Sequence, residues 1–259
     1  MNRASLIRSY LIRSSSIRHF VSRASLISGI RYWRAVVMGV VSLTAMSARL
    51  TSQQVASSVT PSTASVIFTL DFPESSPKHY SIAVDRSGHA SYECTVKDGE
   101  DSEEQTYQTE FDVSAGSREH VFEWAKQAQY FAGQIDSGNR KLAFTGAKIL
   151  SYQDGLRSST ARYNFSNLEP VRELTTLFQN MAGTQEYGRR LAYYHRYQKL
   201  ALDDELKRME AQARNNELSE IQGVRLVLQE IVEDSSVINV VRARAKELIE
   251  MGSSAGAGR

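Results

Sequence analysis

The sequence predicts an α+β fold, an antiparallel meander sheet covered by helices in the order βββαββα, followed by a C-terminal helical hairpin or three-helix appendage. Three observations predict it. First, apolar and polar side chains alternate strictly: Tyr80, Ile82 and Val84 against Ser81, Ala83 and Asp85, then Ala90, Tyr92, Cys94 and Val96 against Ser91, Glu93, Thr95 and Lys97. Such alternation marks strands with one buried and one wet face. Second, two later segments repeat apolar residues at helical spacing, Val121, Ala125, Ala128 and Phe131 in one, and Val171, Leu174, Leu177 and Met181 in the other. Third, after residue 184 the strand signal vanishes and only helical stripes remain.

Taken in order, the chain divides into a lead (1–48), a linker (49–64), an α+β domain (65–183), a helical region (184–251) and a tail (252–259) expected to be disordered. Within the lead, residues 35–48 (AVVMGVVSLTAMSA) are small and apolar, with Arg31 and Arg34 before them and Arg49 after. As a helix this run covers about 21 Å, short of a bilayer core of about 30 Å. A basic start, a short apolar run and small residues at its end fit a secretory signal peptide, with Ala45 and Ser47 in the A-x-A-like relation. The expected product is an exported chain, periplasmic or secreted, cut near residues 47–49; the alternative is a chain anchored to the membrane by its N-terminus. An Arg-rich, Ser-rich, acid-free lead also has the composition of an organelle transit peptide, but arginines at 3, 8, 13, 18 and 23 scatter around a helix instead of forming one face.

The polar, Ser/Thr-rich linker gives way to a β run at 66–72, closed by Pro73. A hairpin then turns at DRSGH (85–89), and a third strand carries Tyr107, Thr109, Phe111 and Val113 on one side. The helix after Gly116, with Ser117 as its expected N-cap, supplies the cover that a one-sided sheet needs. A second hairpin turns at Asp154 and Gly155, and a helix over 168–181 has Pro170 near its start. Beyond it, Tyr187, Leu191, Tyr194, Ala201 and Met209 share one side of a helix that reaches about 48 Å if it runs unbroken from 184 to Asn215. Leu218, Ile221, Val224, Leu228 and Ile231 form a second stripe, and Val237, Val241, Ala245 and Leu248 a third.

The formal charge of +2 conceals an asymmetry. Residues 1–64 hold eight arginines and no acid; removing those eight from 31 leaves 23 basic against 29 acidic residues, a net of −6 for the rest. That balance argues against nucleic acid as a partner, because such binding neutralises phosphates with Lys and Arg. The single cysteine, Cys94, excludes an intrachain disulfide and a multi-cysteine zinc site; its phase with Tyr92 and Val96 predicts a small buried residue on a strand, the alternatives in an exported protein being a pairing between chains or a reactive thiol.

The runs HYSIAVDRSGHASYE, TEFDVSAGSREHVFEWAKQAQYF and LSYQDGLRSSTARYNF resemble small exported bacterial α+β domains of unknown function, in which one hairpin precedes a strand, a helix and a Y-x-D-G hairpin. The resemblance covers about residues 65–182. It implies export and an α+β fold, and it brings no catalytic residues with it. The last two helical stripes resemble a single HEAT-type repeat.

No motif predicts a cofactor, a metal or a catalytic residue. SSPK (75–78) has the S-x-x-K spacing but none of the companion elements of the serine enzymes that use it. Asp98, Glu100, Asp101, Glu103 and Glu104 lack the spacing of a calcium loop and read as a solvated hairpin tip, and IDSGN (135–139) reads as a turn. His79, His89, His120 and His195 form no i, i+4 pair. Phosphate-cradling and nucleophile-elbow glycine motifs are missing from the sequence.

The one stretch with the composition of an interaction surface is 186–199, where Tyr187, Tyr193, Tyr194 and Tyr197 interleave with Arg189, Arg190, His195 and Arg196. The alternative for the same stretch is a helix that buries Tyr187, Leu191 and Tyr194 and wets its charges. The favoured expectation is a non-enzymatic binding or protein-interaction module that meets a protein or envelope partner through its C-terminal helices, with no stable transmembrane span in the mature form. An enzyme, hydrolase-like, with a site gathered from distant residues, and a structural envelope protein are the alternatives.

Overall fold

The computed structural model describes residues 63–96 and 104–257. The lead, nearly all of the linker and the acidic residues Asp98, Glu100, Asp101 and Glu103 lie outside the described residues.

Six strands, β1 (Ser65–Asp71), β2 (His79–Asp85), β3 (His89–Val96), β4 (Gln105–Asp112), β5 (Ala147–Gln153) and β6 (Ser158–Tyr163), form one antiparallel sheet in the order β4-β3-β2-β1-β5-β6. Four strands precede the first helix, one more than the βββαββα shorthand holds, because the run at 66–72 joins the meander as β1 and sits near its centre. Register follows from burial. Tyr92, Ile82, Phe68 and Leu150 stand opposite one another across β3, β2, β1 and β5, and all four are fully buried. A slip of one residue would turn that row to solvent and replace it with Ser91, Ala83, Ile67 and Ser151 or their neighbours.

Helix α1 (Ala115–Gln127) carries the chain from the β4 edge back to β5 and places Val121, Phe122 and Ala125 against the sheet. Its N-cap is Ser114, whose hydroxyl accepts from the Ser117 N–H, so the cap stands three residues ahead of the serine expected to fill it. The cover is completed by α2 (Glu169–Tyr197), where Phe178 stacks on Phe68 with ring centroids 5.6 Å apart.

At 29 residues, α2 runs through Gly183 and Thr184, where the sequence reading changes from domain to appendage. Its first half belongs to the sheet core and its second half to another core, built with α3 (Leu202–Arg214), α4 (Arg225–Glu233) and α5 (Asn239–Ala257). Gly183 is a contact residue, since a Cβ there would lie 3.2 Å from Leu218. Instead of one rod to Asn215, the helix ends where Gln198 turns to φ −145° and ψ 59°. The second stripe is helical only from Arg225; before it, 221–224 forms a 3-10 turn. The tail stays helical through Ala257, because Gly252 seats against Ile221 and the Ser253 and Ser254 hydroxyls donate to carbonyls one turn back. Among the described residues, no helix is long and apolar enough to cross a membrane.

Gly188 is the closest approach between α2 and the 3-10 turn, with an added Cβ 2.5 Å from Val224 Cγ1. Gly188→Ala therefore gains about 1 kcal/mol of helix propensity but loses about 1–3 kcal/mol to overpacking, and a net loss is expected in urea denaturation. Combined with Val224→Ala the two losses should be less than additive, because removing the valine methyls makes room for the alanine.

Candidate functional site

The residues of the 186–199 stretch separate into two groups along α2. Its first turns face inward. Tyr187 is buried, and Glu186, 5% exposed, points its carboxylate under β3. There Tyr92 Oη donates to Glu186 Oε1 at 2.7 Å, Cys94 Sγ lies 3.3 Å from the same oxygen, and Arg189 Nη2 donates to Oε2 at 3.0 Å. Arg190 stands 3.7 Å from Glu186, stacks over the Tyr187 ring and donates from Nε to Glu205 of α3 at 2.6 Å. Arg208 completes the chain on Glu205. The guanidiniums of Arg189 and Arg190, both half-buried, are thus paired with acids of the protein itself, and Tyr187 is buried beside them.

The later turns face outward. Tyr193, Tyr194 and Tyr197 form an aromatic cluster, with centroids 5.8 Å apart for the first two and 5.2 Å between Tyr193 and Tyr197. Tyr194 is half-buried, whereas Tyr193 is 43% and Tyr197 64% exposed, and Leu200 beyond them is 96% exposed. The Arg196 guanidinium lies 5.6 Å over the Tyr197 ring. His195 turns the other way, to the loop between α4 and α5, where its Nε2 lies 2.9 Å from Asp234 Oδ2. Lys199 reaches the same carboxylate at 2.5 Å and the Ser236 hydroxyl at 2.5 Å. The Lys199 ammonium, with Ser236 and His195 beside it, holds the Asp234 carboxyl well below the usual carboxylate range. The end of α2 is thereby pinned on one side and bare on the other. Leu200, next to Lys199, and Ile238, two residues past Ser236, are both exposed.

Two clefts bear on whether the chain gathers catalytic groups. The smaller, about 220 Å³, reaches Tyr80, Tyr92, Glu186 and Arg190. Both oxygens of its carboxylate accept hydrogen bonds from neighbours, one from Tyr92 and the other from Arg189. Its nearest thiol, Cys94, is pushed up to about 12, mainly by burial, and stays protonated. The larger cleft, about 700 Å³, opens between α1, the first half of α2, residues 216–222 and the end of α5. His120 and Ser117 line it, but no hydrogen bond joins them among the described residues; His120 stacks on Trp124 at 4.8 Å instead.

Lys148, like Glu186, Glu205 and Glu220, is a buried ionisable residue that the sequence reading passed over. It lies in phase with Leu150 and Tyr152, and burial lowers its pKa. Its ammonium donates to Thr145 Oγ1 at 2.8 Å and to the Thr145 and Asn164 carbonyls at 3.3 and 3.0 Å, and it lines neither cleft. Its visible role is to fasten the 139–146 loop to the end of β6. His79 pairs with Asp71 at 2.5 Å, and His89 stands 3.7 Å from both Glu110 and Asp112; among the described residues no group of three metal-ligating side chains forms. Ser75 of the SSPK run donates to the Phe72 and Pro77 carbonyls within its own turn.

Compared with protein-family models and with curated proteins, the chain matches none.

The Asp234 lock makes a pH prediction. A carboxyl whose folded pKa is depressed contributes stability above its unfolded value of about 3.9 and loses it as the pH falls through the folded value. Wild type should melt higher than Asp234→Asn at neutral pH, and the difference should shrink steadily below about pH 4 in thermal scans.

Proposed function

We propose that the chain is an exported, non-enzymatic interaction module that docks a protein partner on the bare end of α2. The observation that carries this reading is the juxtaposition of Tyr193, Tyr197 and nearly fully exposed Leu200 on a helix end that His195 and Lys199 lock to Asp234. Large apolar side chains held out together, on a fixed frame, are what a docking surface offers. A rigid frame also reduces the ordering cost of association. Arg196, exposed and stacked on Tyr197, sets the chemistry of the partner: an apolar pocket with an acidic rim. The enzyme alternative draws no comparable support, because the ionisable groups near the clefts are spent on one another or stand apart.

Export is argued from the lead: a basic start, a short apolar run and small residues at 45–48, ahead of a chain in which residues 65–259 carry a net charge of −6 by 23 basic against 29 acidic residues. A protein with this address and no catalytic pair among the described residues is expected to act by contact in the envelope.

The reading is tested in cells that express the full chain with a photo-crosslinking phenylalanine at position 197 or, as a control, at position 226, where Leu226 is also exposed. A defined adduct is expected from 197 and not from 226, and it should disappear with Arg196→Glu and with Leu200→Ser while the melting temperature holds. Equal adducts from both positions, or none from 197, would overturn the docking surface. The mass of the recovered protein checks export: a start near residues 48–50 is expected, and an intact arginine lead would contradict it.

A further inference from the structure

We propose that the larger cleft is a binding site for a neutral oligosaccharide, separate from the docking surface on α2. Its volume of about 700 Å³ is of the size that holds a small ligand. One wall is the half-buried Trp124 ring, backed by His120 at 4.8 Å, and the buried Leu218 and Ile221 with half-buried Met251 line the cleft as well. A flat aromatic face beside apolar side chains suits a ligand with a broad C–H surface.

The polar groups narrow the class. Few of the cleft's lining groups are left to hold an anion. The positive end of α1 is already taken by Glu220, whose carboxylate accepts from the Ser114 N–H and hydroxyl, each at 2.8 Å. Arg214 is spent on Glu210 at 2.7 Å and Glu247 at 2.5 Å. A polycation fares little better, since Glu173 is the one lining carboxylate that makes no hydrogen bond or ion pair among the described residues.

What remains is neutral and two-sided. Thr176 and Ser117 bring hydroxyls free of side-chain partners among the described residues. Asn180 donates one amide hydrogen to the Asn216 carbonyl at 3.2 Å, and Gln222 donates to Glu220, so both keep their amide oxygens for a ligand. Hydroxyls and amides that both donate and accept, around a tryptophan face, match a pyranose. The sugar lays one C–H face on a ring and carries donor-acceptor hydroxyls at its edge.

The test uses the full chain with Trp33→Phe, which leaves Trp124 as the single tryptophan of the two. Its fluorescence is titrated with the tetramers of N-acetylglucosamine, β-1,4-glucose and α-1,4-glucose, and separately with hexa-arginine and inorganic phosphate. A saturable emission change is expected from at least one tetramer at or below about 10 mM. Thr176→Ala with Glu173→Gln, both exposed side chains, should weaken it about fivefold or more, the worth of one or two hydrogen bonds, at an unchanged melting temperature. Tyr197→Ala should leave it unaltered, which separates this site from the docking surface. The proposal is overturned if no tetramer moves the emission, if hexa-arginine or phosphate saturates at lower concentration, or if the double substitution leaves the affinity intact.

Discussion

The structure depends on one buried carboxylate. Glu186 sits where the two hydrophobic cores meet, and it binds β3 through Tyr92 and Cys94 while Arg189 and Arg190 hold it from its own helix. Through Arg190 the contact continues to Glu205 on α3 and to Arg208. Moving a charge out of water is costly unless charge and hydrogen bonds replace the water, and here both do. Beside it, burial and then the Glu186 charge raise the Tyr92 pKa, so the phenol keeps the proton it donates. An apolar residue at 186 would pack as well but would lock nothing in register.

Because that carboxylate is on α2, the helix has to be continuous through it. Its 29 residues give the sheet a cover at one end and the helical bundle a spine at the other. The spine is close-packed through glycine, Gly183 against Leu218 and Gly188 against Val224, and on α5 Gly252 packs against Ile221 and the Gln222 backbone. The same rigidity is delivered to the end of the helix, where the Asp234 lock leaves Tyr193, Tyr197 and Leu200 outward. The larger cleft arises from this arrangement too, since α1 and α2 form two of its walls and the loop that packs onto α2 forms another.

Much of the fold is legible in the sequence, because period-two alternation in 66–113 leaves little choice of which face is buried, and Cys94 falls in the buried phase as its neighbours require. The helical stripes of the C-terminal region likewise name core residues, Leu228, Ile231, Val241 and Leu248 among them. The continuity of α2 is not legible. Ending a helix at Met181 treats Ala182, Gly183 and Thr184 as punctuation, whereas Gly183 is there for the approach of Leu218. Carried on, the period of Leu174, Phe178 and Ala182 arrives at Glu186, and a carboxylate on a buried face is the signal that the site lay there. The aromatic-basic run misled in part for the same reason: composition does not tell Arg189 and Arg190, which answer a buried acid, from Arg196, which faces out. Lys148 escaped notice because an amine satisfied by carbonyls has no acidic partner for a sequence to reveal.

The most direct measurement of this account is urea denaturation of the chain with and without Glu186→Gln, both carrying Trp33→Phe so that Trp124 is the single tryptophan, each followed by Trp124 fluorescence for the sheet core and by far-ultraviolet circular dichroism for the helices. The account predicts coincident transitions in the chain that keeps Glu186 and a loss of about 2–4 kcal/mol in the variant, whose amide leaves the Arg189 guanidinium without its charge partner. Unchanged stability in Glu186→Gln, or two separate transitions in the chain that keeps Glu186, would contradict the claim that this carboxylate joins the two cores into one.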